Sequence, residues 1–555
     1  MDASRTSELQ YQTGLLRAWR RHDPWPIASG AVCLVVATPI LVVVSSLATP
    51  TVDVWAHLWQ TQLAELFWNT LRLIAGVALG VLLLGTGLAW LVARYDFPGR
   101  AIFQWLLILP LAIPTYVIGF VFRGIFDYTG PVQTWLRSVV GAKIWFPEIA
   151  SFGGVTLVMS LVLYPYVYLL ARTAFLEQSA GTLEAARALG ARGLKVFWRV
   201  ALPLARPSIA AGTALALMEA LADFGTVAIY GYSSFTVAIY RVWFGMFDRH
   251  AATELATLLL LFTFGLYWLE RAGRGRRRFY QTDGTARPVA PQKLHGWRAW
   301  VASGMTGFVV GIAFVLPLAQ LAFWCFSQAE LDRKYLELLL NTLLLGVATA
   351  GLAVCAAVVV AYGLRLSRSR MVTACAGIAS MGYALPGSVI AVGVLAPLVF
   401  LDHSLDALLQ STLNISSGLL LTGSMVGLVF AYLVRFLAVS CQTVEASLAK
   451  ITPSMDMAGR SLRATTSEVL WRIHVPLIRP GLSAAAILVL VDVMKEMPAT
   501  LLLRPFGYDT LAVQVWQLTS ESFWEAAALP ALTIVAAGIL PVLLLVRNRA
   551  RFSGG

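Results

Sequence analysis

The chain has 555 residues, of which 58% are hydrophobic and only 13% are charged. Soluble globular domains carry roughly a quarter charged residues, so this composition excludes a soluble protein and indicates a polytopic membrane protein. The formal net charge of +13 is compatible with nucleic-acid binding, but the lysines and arginines concentrate in alternate loops between apolar segments. That distribution is the positive-inside pattern of membrane proteins, and we therefore expect no nucleic-acid partner.

Twelve apolar segments follow one another along the chain. A helix needs about 20 apolar residues to cross the hydrocarbon of a bilayer, and each segment approaches or exceeds that length. The predicted fold is an all-α polytopic membrane protein with about twelve transmembrane helices in two repeated six-helix halves. The predicted spans are 28–48, 68–93, 101–123, 152–176, 207–231, 252–270, 300–325, 340–365, 371–400, 417–440, 480–504 and 525–546.

An internal repeat divides the chain. Residues 198–207 match residues 471–480 at a shift of 273, and 69–71 match 341–343 at a shift of 272. Self-similarity over nearly half the chain indicates two copies of one unit. We predict an N-terminal tail (1–27), a first repeat (28–270), a basic linker (271–297), a second repeat (298–546) and a C-terminal tail (547–555). Twelve spans would place both termini and every basic loop on the cytoplasmic side.

Smaller features are interpreted by their residue types. The five cysteines lie in or beside apolar runs without CxxC spacing, which favours buried apolar side chains over disulfides or metal ligands. The arginines of the linker are compatible with binding to nucleic acid or anionic lipid, but an anchor at the cytoplasmic face is the favoured interpretation. Gly76 and Gly80 form a GxxxG pattern, which predicts close packing of two membrane helices.

The stretch 184–207 is polar and basic, although it lies between two apolar segments. Gly190 is suited to the left-handed conformation that ends a helix, and Pro203 marks the start of the next apolar run. Small side chains at Ala185 and Ala186 allow another protein to approach closely. These features predict a docking surface.

Glu184-Ala185-Ala186, with Gly190 four residues later and Pro203 ending a Val-Ala-Leu-Pro run, resembles the EAA loop of ABC-importer permeases. In that family the loop lies in the cytoplasm and docks into a cleft on the ATPase subunit. An ordinary amphipathic loop is the alternative, but the recurrence of the pattern in the second half argues against it. The resemblance implies that the ATPase-coupling residues are Glu184, Ala185, Ala186, Gly190 and Pro203 in the first EAA loop, and Asp456, Met457, Ala458, Gly459 and Pro476 in the second.

The second EAA loop is degraded. Met457 stands where the first loop has glutamate, Gly459 replaces the second alanine, and Arg463 replaces the glycine. Asp456 is one residue too early to substitute directly for the glutamate. Either the two docking sites are unequal, or the shape of the loop matters more than its glutamate.

Catalytic motifs are absent from the sequence. A Walker A loop requires lysine after glycine, and no lysine in this chain follows a glycine. We therefore expect a transport subunit rather than an enzyme, with no cofactor on this chain and with ATP and magnesium bound by a partner ATPase.

Ionisable residues occur inside two predicted spans. Glu219 and Asp223 are four residues apart, hence on one helix face, and Asp492 and Glu496 follow at a shift of 273. Charged groups inside a bilayer are costly and usually face a cavity or a partner, and repeat symmetry brings both pairs towards a shared interface. Our hypothesis is that these four carboxylates line the translocation path and favour a cation, because hard cations prefer oxygen ligands.

A structural role is the alternative for the same four carboxylates. They would then pair with Lys495 or cap broken helix ends near Gly225 and Pro498. The sequence leaves both roles open.

Residues 221–226, 240–244 and 495–505 are similar to segments of fused ferric-iron permeases. This resemblance implies a bacterial inner-membrane permease that moves ferric iron into the cytoplasm by alternating access. Its expected partners are two cytoplasmic ATP-binding subunits, a periplasmic substrate-binding protein and the lipid bilayer. Related fused permeases for thiamine, aminophosphonates or polyamines share the architecture. A secondary transporter also has twelve helices and repeats, but it would not need two EAA loops.

Overall fold

The computed structural model describes residues 25–48, 56, 59–141, 143–190, 194–274, 291–328, 331–367 and 369–552. The tail up to residue 24, most of the basic linker and the last three residues lie outside the described residues. The predictions made for those parts of the chain are therefore left as they stand.

Helices make up most of the described part of the first half. They are α1 (Trp25–Ser45), α2 (Leu63–Arg94), α3 (Arg100–Leu106), α4 (Thr115–Phe126), α5 (Pro131–Val140), α6 (Phe152–Leu176), α7 (Ala180–Ala188), α8 (Leu194–Val196), α9 (Leu202–Ala222), α10 (Gly225–Ile229), α11 (Phe235–Gly245) and α12 (Arg249–Arg274), with 3-10 turns at Ser46–Ala48 and Leu109–Ala112 and a π turn at Phe197–Ala201.

The second half repeats this order. Its helices are α13 (Trp297–Val310), α14 (Leu316–Gln328), α15 (Arg333–Leu366), α16 (Arg370–Ala379), α17 (Gly387–Leu413), α18 (Met425–Leu448), α19 (Pro453–Ser461), α20 (Thr466–Val469), α21 (Val475–Lys495), α22 (Pro498–Leu503), α23 (Leu511–Ser520) and α24 (Ala528–Phe552), with a 3-10 turn at Gly382–Ala384 and π turns at Gly311–Val315 and Leu470–His474. Two short strands, β1 (Tyr95–Asp96) and β2 (Gln292–Lys293), pair in parallel and join the first half to the linker.

The predicted all-α membrane fold is confirmed, and the predicted count of about twelve spans is close to the number in the structure. The described residues contain ten helices that are long and apolar enough to cross a membrane, or eleven if the bent pair within 100–140 counts as one span. Helix α24, Ala528–Phe552, covers the predicted span 525–546 from residue 528 onwards.

Four of the predicted spans are broken rather than continuous. The segment 101–123 bends by 93° between α3 and α4, because Pro114 holds Ile113 in an extended conformation. Leu385 before Pro386 is extended in the same way, so 371–400 is also two helices. Helices α9 and α21 end at extended residues, Asp223 and Glu496, which interrupt the predicted spans 207–231 and 480–504.

The flanking helices of each half pack on the other half. One buried apolar core combines α2, α4 and α6 with α13, α14 and α24, and a second combines α15, α17 and α18 with α1, α11 and α12. A Cβ atom at Gly393 of α17 would lie 2.4 Å from the carbonyl oxygen of Pro39 in α1. The two halves are therefore interlocked through their end helices.

Glycines allow the closest helix approaches in the first half. A Cβ atom at Gly80 of α2 would lie 2.0 Å from Ser160 Oγ of α6, and one at Gly76 would lie 2.9 Å from Thr156. These distances confirm the packing predicted from the GxxxG pattern. Further along α6, a Cβ atom at Gly212 of α9 would lie 2.8 Å from the carbonyl oxygen of Tyr166, so α6 contacts α9 almost backbone to backbone.

Candidate functional site

The first helix break is built around the Asp223 carboxylate, which is 8% exposed. Its Oδ1 atom accepts hydrogen bonds from the backbone N–H groups of Thr226 at 2.9 Å and Val227 at 3.3 Å. Its Oδ2 atom accepts from the hydroxyl groups of Thr226 at 2.9 Å and of Thr115. Asp223 therefore satisfies the free N–H groups at the start of α10, as a helix cap does.

The second break has the same plan with different side chains. Glu496 Oε1 accepts from the backbone N–H of Ala499 at 3.1 Å, and Glu496 Oε2 lies 2.8 Å from Arg435 Nη1. Gly387 occupies the position of Thr115 at a shift of 272. A Cβ atom at Gly387 would lie 2.3 Å from Glu496 Oε1 and 2.4 Å from Arg435 Nη1. Because residue 387 is a glycine, there is room for the longer Glu496 side chain and for Arg435.

The four predicted carboxylates line one cavity of about 140 Å³ between the two halves. Glu219 and Asp492 are half-buried, and Tyr166, Tyr383, Arg435 and Lys495 also line the cavity. The hydroxyls of Tyr166 and Tyr383 lie 3.4 Å apart and join the halves across it. Lys495 Nζ donates to the carbonyl oxygen of Leu111 in the other half at 3.4 Å.

Each half thus has one buried acid that caps a short helix and one half-buried acid. Asp223 and Glu496 are the more buried pair, and each caps a short helix, whereas Glu219 and Asp492 are half-buried beside the Lys495 amine. Among the residues that the structure describes, no three His, Cys, Asp or Glu side chains converge as a metal site.

Sequence reasoning missed several residues of this cavity. Arg435 lies inside the predicted span 417–440, and a charge inside an apolar span is the signal that identifies such residues. Tyr166, Tyr383 and Thr115 carried no comparable signal, because tyrosine and threonine are common in membrane helices.

The first EAA loop contains α7, the turn after it and the start of α9. Glu184 is exposed on α7 and Ala186 is half-buried, while Ala185 is in the same helix. Gly190 has φ +84°, the left-handed conformation expected of it, and no described atom lies within 4 Å of the position that its Cβ would take. Pro203 lies in the first turn of α9.

The second EAA loop repeats the short helix and the left-handed residue of the first loop despite its different sequence. Helix α19 carries Met457 and Ala458 on its exposed side, and Gly459 is buried, where a Cβ would lie 2.9 Å from Val469 Cγ2. Arg463, which replaces Gly190, also takes the left-handed conformation, with φ +59°. The residue before it, Leu462, is 82% exposed.

The two loops share further surface features. Leu189 occupies the position of Leu462 at a shift of 273 and is 89% exposed. Pro476 opens α21 as Pro203 opens α9. Asp456 differs from the other predicted coupling residues, because its carboxylate points towards the membrane helices.

Comparison with known proteins agrees with this architecture. Residues 85–272 match the family described as "Binding-protein-dependent transport system inner membrane component". A sulfate transport system permease protein of Escherichia coli is 30% identical over 240 residues, which cover 83% of that protein and 41% of this chain. The chain belongs to this permease family.

The fused architecture of this permease also has a full-length relative. An Fe(3+)-transport system permease protein of Haemophilus influenzae is 27% identical over 494 residues, which cover 88% of this chain and 90% of the relative. A molybdate/tungstate transport system permease protein of Thermococcus kodakarensis is 27% identical over 243 residues, 44% of this chain and 91% of that protein. The permease is thus a multi-pass inner-membrane component of binding-protein-dependent import.

Proposed function

We propose that this permease carries ferric iron into the cytoplasm. The observation that supports this cargo is the excess of negative formal charge in the cavity. Its lining has four carboxylates but only two basic side chains. An excess of carboxylate oxygens, together with tyrosine hydroxyls, favours a hard cation over an oxyanion such as sulfate or molybdate. The relative that covers most of both chains has Fe(3+) transport in its name.

In this proposal the mechanism is alternating access. Two separate ATP-binding subunits dock on the EAA loops in the cytoplasm, and ATP and magnesium bind to them and not to this chain. A periplasmic binding protein delivers the cargo on the other side. Closure of the ATPase pair moves the loops, rocks the halves against each other and shifts the population between inward- and outward-open states. Both termini then lie in the cytoplasm, which agrees with the positions of the basic loops.

Oxyanion transport is the competing function. Two observations favour it. Arg435 and Lys495 line the cavity, and the two relatives that align with about half of this chain are named as sulfate and molybdate/tungstate permeases. The two functions predict opposite roles for the cavity charges.

Uptake of radiolabelled ferric iron tests the proposal. Cells would express the permease with its own ATPase and binding protein, beside a matched strain whose ATPase cannot hydrolyse ATP. We expect iron uptake that requires ATP hydrolysis and is unaffected by excess sulfate or molybdate. Uptake of labelled sulfate or molybdate without uptake of iron would overturn the ferric assignment, and thiamine, aminophosphonates and polyamines would be measured in the same cells.

A further inference from the structure

The Asp456 carboxylate of the second EAA loop is held by two basic side chains. Its Oδ2 atom accepts hydrogen bonds from Arg365 Nη2 at 2.8 Å and Nε at 3.2 Å, and its Oδ1 atom lies 2.7 Å from His474 Nε2. The His474 side chain is fully buried, and those of Asp456 and Arg365 are only 17% and 16% exposed. Asp456 is therefore not available as a surface contact.

Arg365 connects this carboxylate to further elements. It lies in the last turn of α15, and its Nη1 and Nη2 atoms donate to the carbonyl oxygens of Leu448 at 2.7 Å and Ile451 at 3.0 Å, at and just beyond the end of α18. His474 belongs to the π turn that precedes α21. Asp456, Arg365 and His474, here called the Asp456 cluster, thus join α19 to three membrane helices.

The first half attaches its loop differently. The positions of Arg365 and His474 hold Ala93 and Ala201, at shifts of 272 and 273. Instead, the ring of Phe197 lies 5.2 Å from that of Trp90 and 6.3 Å from that of Phe175, measured between centroids. At the same shifts these rings occupy the positions of Tyr362, Leu448 and Leu470, so the first half packs three aromatic rings beside alanines where the second half has Arg365 and His474.

We propose that Asp456 is a positioning residue that fixes α19 to the membrane helices, so that the second EAA loop transmits ATPase movement although its motif glutamate is lost. This inference rests on the proposed function, since it requires a separate ATPase that docks on the loop. Two observations carry it: Arg463 keeps the left-handed conformation of Gly190, and the Arg365 guanidinium holds Asp456 Oδ2 through two hydrogen bonds.

The choice of variants follows from the geometry. Asp456→Asn keeps the size of the side chain but leaves Arg365 partly buried without its counter-charge, a change that usually weakens a structure strongly. Arg365→Lys keeps the charge but cannot donate from two nitrogens in a fixed fork. Glu468→Gln is the matched control, because it removes a carboxylate from the same loop while glutamine can still complete the capping box with Thr465.

The experiment measures transport per ATP hydrolysed, with the complete complex of permease, ATPase and binding protein in proteoliposomes. For Asp456→Asn we expect the ATPase to remain bound and to hydrolyse ATP, while transport per ATP falls by about tenfold or more. Arg365→Lys should lie between Asp456→Asn and the wild type, and Glu468→Gln should equal the wild type. A wild-type ratio for Asp456→Asn would overturn the proposal.

Hydrogen exchange on the same complex gives a second test that does not depend on cargo. In Arg365→Lys, exchange should rise in 453–461 of α19 and stay unchanged in 180–188 of α7. If the variant and the wild type show the same exchange in 453–461, or if exchange rises equally in 180–188, the proposed attachment is contradicted. This test holds even if Asp456→Asn fails to fold. Failure of the wild-type permease to bind any ATPase would instead contradict the proposed function, so the two failures are distinguishable.

Discussion

Asp223 and Glu496 stand 273 positions apart and make the same bond: each carboxylate accepts the backbone N–H of the residue three positions later. Both sit where a long membrane helix stops and a short one begins. Backbone groups freed inside a membrane have to be satisfied by the protein. The two acids are therefore part of the fold of the cavity as well as candidates for its function.

The variant Asp223→Asn separates these two roles. An asparagine oxygen still accepts the N–H bonds of Thr226 and Val227, so we expect normal folding and assembly with the ATPase. If the negative charge serves the path, transport is lost, which an uptake assay measures. Asp223→Ala, as the comparison, should also lose about 1–2 kcal/mol of stability because the cap is removed. Unchanged transport in Asp223→Asn would contradict the path hypothesis.

Glu496 requires a different design, because Glu496→Gln alone leaves Arg435 buried without its counter-charge. We expect this single variant to be clearly destabilised, and the double variant Glu496→Gln with Arg435→Met to be more stable than it, since both charges are then removed. Thermal unfolding in detergent checks the order. Loss of transport in the folded double variant is the outcome that the path hypothesis predicts.

Gly387 provides a prediction about the shape of the second break. Gly387→Ala places a methyl group against Glu496 and Arg435, so we expect lower thermal stability, by about 1–3 kcal/mol. Shortening the acid in the double variant Gly387→Ala with Glu496→Asp should recover part of the loss. Gly377→Ala in α16 is the control, because no described atom lies within 4 Å of its Cβ position. Equal stability of the two single variants would show that the glycine is not required.

Gly80 tests the contact between α2 and α6. Gly80→Ala forces a Cβ atom against Ser160 and should cost about 1–3 kcal/mol, whereas Gly87→Ala in the same helix meets no described atom within 4 Å and should be neutral or slightly stabilising. Adding Ser160→Gly should rescue Gly80→Ala. Denaturation of the purified permease distinguishes the variants, and a missing rescue would argue against this contact as the cause.

Arg463 and Gly190 are equivalent residues that follow helices α19 and α7 in the two EAA loops. Left-handed backbone strains any residue with a side chain, so Arg463→Gly should stabilise the permease by about 0.5–1 kcal/mol, and Gly190→Ala should destabilise it by a similar amount. If loop shape matters more than sequence, Arg463→Gly also keeps full transport. A less stable Arg463→Gly would show that its side chain has a role of its own.

The sequence was sufficient for the membrane fold, the repeat and the placing of four acids around one cavity. Apolar length and the 273-residue shift carry that information directly. The helix breaks at Asp223 and Glu496 were less visible, because the apolar runs continue through them and only the capping bonds reveal the interruption.

Other features depended on contacts between distant parts of the chain. The exchange of end helices between the halves has no local signature, since an apolar helix packs equally well on either half. Asp456 was predicted among the ATPase-coupling residues, which stays a prediction, and the inward direction of its carboxylate depends on Arg365, 91 positions earlier in the sequence. A shift of one position relative to the motif glutamate was the only sign of that difference.

The close contact at Gly212 gives helix α9 a fixed point between the coupling loop and the cavity. From Gly212 the helix extends about 15 Å to Leu202 and about 10 Å to Glu219, at 1.5 Å per residue. Under the proposed function, α9 would pivot at this contact, so that movement of its Leu202 end would shift the Glu219 carboxylate in the opposite direction. Gly212 would thereby connect the loop on one face of the membrane to a side chain inside it.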